Sequence, residues 1–165
     1  MKKTLFATLS AVVFTVLSAN VYAAQQTTTL DVTVTVAQAC SVTAIPVSFA
    51  GYDGTAANAT GDVTVTCPQG TDYNIALDAG NNNDGTYRRM VDAGATSFLS
   101  YFLYQDDINT EWGDSDYDNT YPGGASLAGT GSNGPDPHPV YGFIPSGQNP
   151  ADGLHSDTVN VTVYY

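Results

Sequence analysis

Positive charge is the scarcest property of this chain. Its 165 residues carry 4 Lys plus Arg against 16 Asp plus Glu, a formal net charge of -12. Two of the four cations are Lys2 and Lys3, and both belong to a leader. They supply a charged n-region, Thr4 to Ala19 is apolar or small, and Val21-Tyr22-Ala23 places small residues where a signal peptidase reads. Cleavage after Ala23 is expected, leaving 142 residues whose only strong cations, Arg88 and Arg89, face 16 acids for a net charge of -14. So acidic a surface excludes nucleic acid and anionic lipid as main partners, because both are bound by clusters of Lys and Arg. Beyond the leader no apolar run approaches the roughly 20 residues that span a bilayer, so no membrane insertion is expected.

Cysteine is nearly absent too. Cys40 and Cys67 stand alone with 26 residues between them, too few ligands for zinc, and an oxidising compartment makes a disulfide the expected state. On the chain-entropy account that loop is worth about 3 to 4 kcal/mol. Catalytic motifs are missing as well: there is no G-x-S-x-G, H-E-x-x-H or P-loop. His138 lies between two prolines and His155 follows Gly153-Leu154, so both read as turn residues rather than as bases held by an acid. Adjacent acids such as Asp106-Asp107 are expected by chance in so acidic a chain. Asp114-Ser115-Asp116-Tyr117-Asp118 has calcium-loop spacing, but Asn119 and Ala125 stand where such a loop needs Gly and Glu. No enzyme activity, metal or cofactor is expected. Arg88 and Arg89 read as ion-pair partners of nearby acids, and Trp112 and the tyrosines as core and sheet-face residues.

What the chain has in quantity is Thr, Val, Tyr, Asn, 16 Gly and 8 Pro, the composition of strands joined by turns. Period-two alternation recurs between Gly, Pro, Asn and Asp. Leu30, Val32, Val34 and Val36 form the cleanest instance. Val63 and Val65 lead into Cys67; Tyr73, Ile75 and Leu77 follow. Phe98 to Tyr104 is denser and predicts a strand buried on both sides. Val140 to Ile144 and Val159, Val161, Val163 and Tyr165 complete the set. About seven short strands predict an all-β antiparallel sandwich in one domain. Asp106 to Gly134 and Asp136-Pro137-His138-Pro139 read as long surface loops.

The two ends leave a choice open. The polar leader Ala24 to Thr29 and the strand Leu30 to Val36, about 20 Å if extended, either pair within their own domain or complete a neighbour. The order of motifs resembles a known family. Leu30 to Cys40 is followed by Phe49-Ala50-Gly51-Tyr52, Val63 to Pro68, Tyr73 to Gly80, Arg88-Arg89-Met90, Leu103-Tyr104 with Trp112-Gly113, Val140 to Pro145, and Asp157 to Tyr164. This order resembles the spore coat protein U domain, the family of secreted pilin subunits of archaic (Csu-type) chaperone–usher pathways, over nearly the whole mature chain.

The resemblance implies an incomplete immunoglobulin-like antiparallel β-sandwich with an N-terminal donor strand. It divides the chain into 1–23 (signal peptide), 24–37 (donor extension) and 38–165 (sandwich). A periplasmic chaperone would fill the open groove, and an outer-membrane usher would replace it with the extension of another pilin subunit, by β-augmentation. Leu30, Val32, Val34 and Val36 would be the donor plugs. Val159, Val161, Val163 and Tyr165 would be the groove-facing side of the terminal strand, and a Cys40–Cys67 bond would anchor the extension's exit. The expected role is a structural subunit of a surface fimbrium reached through the periplasm, supporting adhesion and biofilm formation. Two other readings stay open: a surface- or glycan-binding adhesin module using the Asp106 to Pro139 loops, and a secreted, self-complemented monomeric coat or matrix protein.

Overall fold

The computed structural model describes residues 24–36, 39–107, 109–121 and 123–165. The expected signal peptide, 1–23, lies outside them, as do Ala37 and Gln38. The chain divides into two units, Met1–Thr35 and Val36–Tyr165.

The first unit's described part, with Val36, forms no strand. Leu30, Val32, Val34 and Val36 are each more than 80% exposed, at 86%, 85%, 83% and 81%. The best alternation in the sequence is thus the one segment of its kind that joins no ladder. A strand is stabilised only when its backbone N–H and C=O groups have a partner, and alternation by itself supplies none.

The second unit is all-β among its described residues, with nine strands: β1 (Ser41–Ile45), β2 (Ala57–Thr66), β3 (Asp72–Leu77), β4 (Arg88–Asp92), β5 (Phe98–Tyr104), β6 (Leu127–Thr130), β7 (Pro135–Ile144), β8 (His155–Ser156) and β9 (Val161–Tyr164). They form a six-stranded sheet in the order β1-β2-β7-β5-β4-β8 and a three-stranded sheet in the order β6-β3-β9, all pairings antiparallel. The core lies between them and is made by one parity of each strand: Val63 and Val65, Tyr73, Ile75 and Leu77, Leu99, Tyr101 and Leu103, Val140 and Ile144, with Trp112 from the long connection. Cys40 and Cys67 form the expected disulfide. It fastens the start of β1, whose five residues are all exposed, to the buried end of β2.

Several expectations need correcting. β5 is buried on one face only; Phe98, Ser100, Phe102 and Tyr104 face outward. Asp136-Pro137-His138-Pro139 is no loop but the first half of β7, paired with β2 from Thr66↔Pro135 to Asp62↔Pro139. Prolines at every second position explain how this is possible. Successive residues direct their N–H groups to opposite edges, so Pro135, Pro137 and Pro139 all lack a donor toward the same edge, and the β2 register runs unbroken past all three, which requires that edge to be the one away from β2. The missing donors therefore face the edge beyond the reach of β5, and the β2 ladder keeps its own. Both histidines sit in strands, His138 in β7 and His155 in β8. The connection Asp106 to Gly134 contains β6.

Arg88 is the other correction. It is 0% exposed and pairs with no acid. Its guanidinium donates to the carbonyls of Asp78 (2.8 Å), Trp112 (2.8 Å) and Leu77 (2.7 Å), and lies 3.9 Å from the centroid of the Tyr121 ring. Arg89 follows expectation more closely, 3.7 Å from Asp84, and also donates to the carbonyl of Asn82. The acids of the 114–118 stretch are occupied in holding turns. Asp114 accepts from the backbone of Thr120 and Tyr121, Asp116 from Ser126, and Asp118 from the Tyr164 hydroxyl.

Candidate functional site

Two edges of the sandwich fail to meet. β9 pairs with β3 on one side and with no described strand on the other, and β1 is the outermost strand of the large sheet. Past Ile45 the chain leaves β2 and crosses inward, where Val47 lies over Gly61 of β2 and both Val47 and Phe49 lie over Gly142 of β7. A side chain at Gly61 would meet the Ile45 carbonyl and Val47, so the absence of a Cβ there permits the crossing. Between this segment and β9 an open groove of about 990 Å³ remains.

One wall of the groove is Ala44 to Phe49, the other includes Val159 and Val161, and the floor is apolar, made by Leu77, Met90, Leu99, Tyr101, Leu103 and Val140. Ile45 and Leu154, on the lining, are 66% and 84% exposed. The polar group on this floor is neutralised by a neighbour: the Tyr101 hydroxyl donates to Asp157 at 2.7 Å. Burial, then that bond, push the Tyr101 phenol well above its usual range, so it stays protonated. Asp157 in turn accepts from Asn81 N–H and the Asn82 amide. An apolar trough flanked by unpaired backbone suits an added strand, whose alternate side chains enter the trough while its backbone completes the ladder. At the rim His155, on the lining, meets the Ser97 hydroxyl through Nε2 at 3.1 Å, and its Nδ1 lies 3.2 Å from the Gly153 carbonyl rather than against an acid, so the pair lacks the third member that orients a catalytic histidine.

The residues singled out from sequence are distributed as follows. Val159 and Val161 line the groove and, with Val163, pack against the core. Val163 is not on the groove lining, and Tyr165, past the end of β9, is 61% exposed. Parity places Tyr165 with the valines only while the strand continues, and it ends at Tyr164. Cys40 and Cys67 lie at the Thr66 end of the sandwich. Val159 lies toward the opposite end, since β9 runs from Val161 opposite Leu77 to Tyr164 opposite Asn74. Leu30, Val32, Val34 and Val36 stand exposed in the extension. The floor and the Ala44 to Phe49 wall were not identified from the sequence. The period-two set Leu99, Tyr101 and Leu103 is the signal that could have found the floor, but the aromatic residues between them made the run read as buried on both sides.

Comparison with known proteins agrees with this architecture. The profile of the Spore Coat Protein U domain matches residues 26–162. "Protein U" of Myxococcus xanthus is 32% identical over 182 aligned positions, covering 99% of this chain and 98% of that protein. Among solved structures, the chain resembles one from the chaperone–tip adhesion subunit pre-assembly complex of the archaic chaperone–usher Csu pili of Acinetobacter baumannii. The TM-score is 0.60 at 20% identity, over 79% of this chain and 41% of the length of that one.

Proposed function

The chain belongs to the Spore Coat Protein U domain family, and from that premise we propose that it is a structural, non-catalytic subunit of a surface pilus, polymerised by donor-strand exchange. The observation that carries the proposal is the pairing of an open apolar groove with an exposed alternating strand in one chain. Leu30, Val32, Val34 and Val36 of one copy enter the groove of another and lie along β9. Burying four such side chains is worth roughly 6 to 12 kcal/mol before ordering costs, an upper estimate.

Chain length favours a second copy over the chain's own extension. An occupant antiparallel to β9 brings its Val36 to the Val159 end, far from Cys40. From Val36 to Cys40 there are four Cα steps, at most about 14 Å, whereas the strand spans about 20 Å. The chain's own extension therefore reaches the groove only by turning back and running parallel to β9, the less stable pairing. A strand from another copy carries no such limit.

An open trough between two unpaired edges is an aggregation hazard, so the subunit needs a chaperone strand in its groove until assembly, and an outer-membrane usher to exchange it. Export through the periplasm to a surface fimbrium, with a role in adhesion and biofilm formation, follows from that reading. Deleting Thr27 to Val36 tests it. The truncated chain is expected to bind its chaperone and to form no heat-resistant oligomers on a gel, while the full chain forms a ladder of them. Ladders from the truncated chain would refute the proposal.

A further inference from the structure

Val161 and Val163 of β9 pack against the core, so Tyr164, of the other parity, stands on the outer face of the small sheet. There it meets Tyr117 of the long connection face to face, with ring centroids 4.0 Å apart and planes 9° from parallel. The chain has 11 tyrosines. Among the described residues this is their one mutual stack, since every other aromatic pair includes a histidine or a phenylalanine. Tyr73, Tyr101 and Tyr121 are sealed in the interior, whereas Tyr117 is 39% exposed and Tyr164 partly so, which opens this pair to a reagent in solution. Tyr117 is held in place by its turn: its own N–H and that of Asn119 donate to the Asp114 carbonyl at 2.9 Å, and the buried Asp114 carboxylate accepts from Thr120 and Tyr121. The Tyr164 hydroxyl donates to Asp118 at 2.6 Å. Chiefly that bond pushes the Tyr164 phenol up to about 12, so at neutral pH it is protonated and already faces a carboxylate that can take the proton.

We propose that Tyr117 and Tyr164 are a site of oxidative phenol coupling, with Asp118 as the proton acceptor, joined by a carbon–carbon bond that ties the long connection to β9. The oxidant is of the one-electron class, such as a peroxidase using hydrogen peroxide, which takes up two electrons and two protons and yields two waters. One electron leaves Tyr164 as its phenolic proton passes to Asp118. Removing the proton with the electron avoids a phenol radical cation, and a positioned carboxylate is the base that does so. A second electron leaves Tyr117, and its phenolic proton goes to solvent. The two unpaired electrons then pair in one bond between ring carbons ortho to the hydroxyls. Both ring hydrogens on those carbons leave as protons and both phenolic oxygens are reprotonated, so the net change is the loss of two hydrogens. The stack supplies proximity: radicals on separate chains must meet by diffusion, whereas these rings are already in contact. The link braces, from its outer face, a strand that has β3 on one side and the groove on the other. Its formation does not depend on what fills the groove.

The test exposes the full chain to a peroxidase and hydrogen peroxide and reads dityrosine fluorescence, the mass of the denatured chain and the linked peptides. The expected product is a single chain lighter by two hydrogens, with residues 117 and 164 in one linked peptide. Tyr117→Phe and Tyr164→Phe should each abolish it, whereas Tyr87→Phe and Tyr165→Phe, at exposed tyrosines outside the stack, should leave it unchanged. Asp118→Asn keeps an acceptor but removes the base, and should slow coupling at least about tenfold. Trp112 fluorescence checks that each variant is folded. Covalent dimers in place of the link within one chain, a link through Tyr87 or Tyr165, no link once the oxidant is consumed, or coupling in Asp118→Asn as fast as in wild type would each overturn the proposal. Denaturing mass measurement separates non-covalent assemblies into chains, so the result stands apart from whether the chain polymerises.

Discussion

Arg88→Met removes a buried cation whose three donors serve three carbonyls, and its cost can be worked from those contacts. The side chain is 0% exposed, and the carbonyls of Leu77, Asp78 and Trp112 lose their guanidinium donors when it goes. Each buried acceptor left unsatisfied costs about 1 to 3 kcal/mol, and water entering the space left by the guanidinium recovers part of this, so a loss of about 3 to 5 kcal/mol is expected. That is a large share of a domain's net 5 to 15 kcal/mol. Burial pushes the Arg88 guanidinium below its usual range, opposed by Tyr121, Tyr101 and nearby acids. Arg88→Lys keeps a charge but cannot reach three carbonyls with one ammonium, so it should fall between wild type and Met. Trp112 is the sole tryptophan, is fully buried and has its own carbonyl among the three, so its fluorescence in urea denaturation reports at the site. Arg89→Met, at a partly exposed position, should cost about 1 kcal/mol or less. A loss for Arg88→Met under about 1 kcal/mol, or equal to that of Arg89→Met, would refute the reasoning.

Replacing Cys40 and Cys67 by Ala should lower stability by about 3 to 4 kcal/mol on the loop-entropy account and release the wholly exposed β1, which hydrogen exchange of Ser41 to Ile45 would register. Gly61→Ala should cost about 1 to 3 kcal/mol in denaturation, because the new methyl meets the Ile45 carbonyl and Val47. Acid should destabilise the chain. Backbone hydrogen bonds, chiefly from Tyr87, Ser97 and Thr110, hold the carboxyls of Asp84, Asp92 and Asp106 below the usual range. A depressed carboxylate contributes stability that is complete above its unfolded pKa, about 3.9, and is lost as pH falls through the folded value. Thermal melts should therefore be flat from pH 6 to 5 and fall below about pH 4; insensitivity down to pH 2 would contradict this.

Strands with one buried parity were legible in the sequence, and those that broke the pattern were not. Tyr73, Ile75 and Leu77 announce an inward face because burial selects them for apolar character, whereas in β5 the aromatic Phe98, Phe102 and Tyr104 of the outward parity hid which face is buried. β1 announces nothing, since an edge strand with five exposed residues is under no such selection. β4 was hidden because its most buried member is an arginine satisfied by carbonyls that only the tertiary fold brings near. β7 was half hidden because proline is ordinarily a breaker, and its tolerance here depends on which edge each ring faces. Of the groove, only the β9 wall was expected, and Val159 and Val161 do line it. Four alternating apolar residues ahead of a cysteine stand out, whereas the floor is assembled from β3, β4, β5 and β7 and the opposite wall from the end of β1 and the segment after it, and no local pattern marks that gathering.

Direction of insertion tests the central claim most directly. Chains carrying Val36→Cys, mixed with chains carrying Val159→Cys and oxidised after polymerisation, should form an intermolecular cross-link, while Leu30→Cys with Val159→Cys should not. A cross-link between positions 30 and 159 within one chain would place the extension in its own groove, parallel to β9, and would contradict assembly by strand exchange between copies.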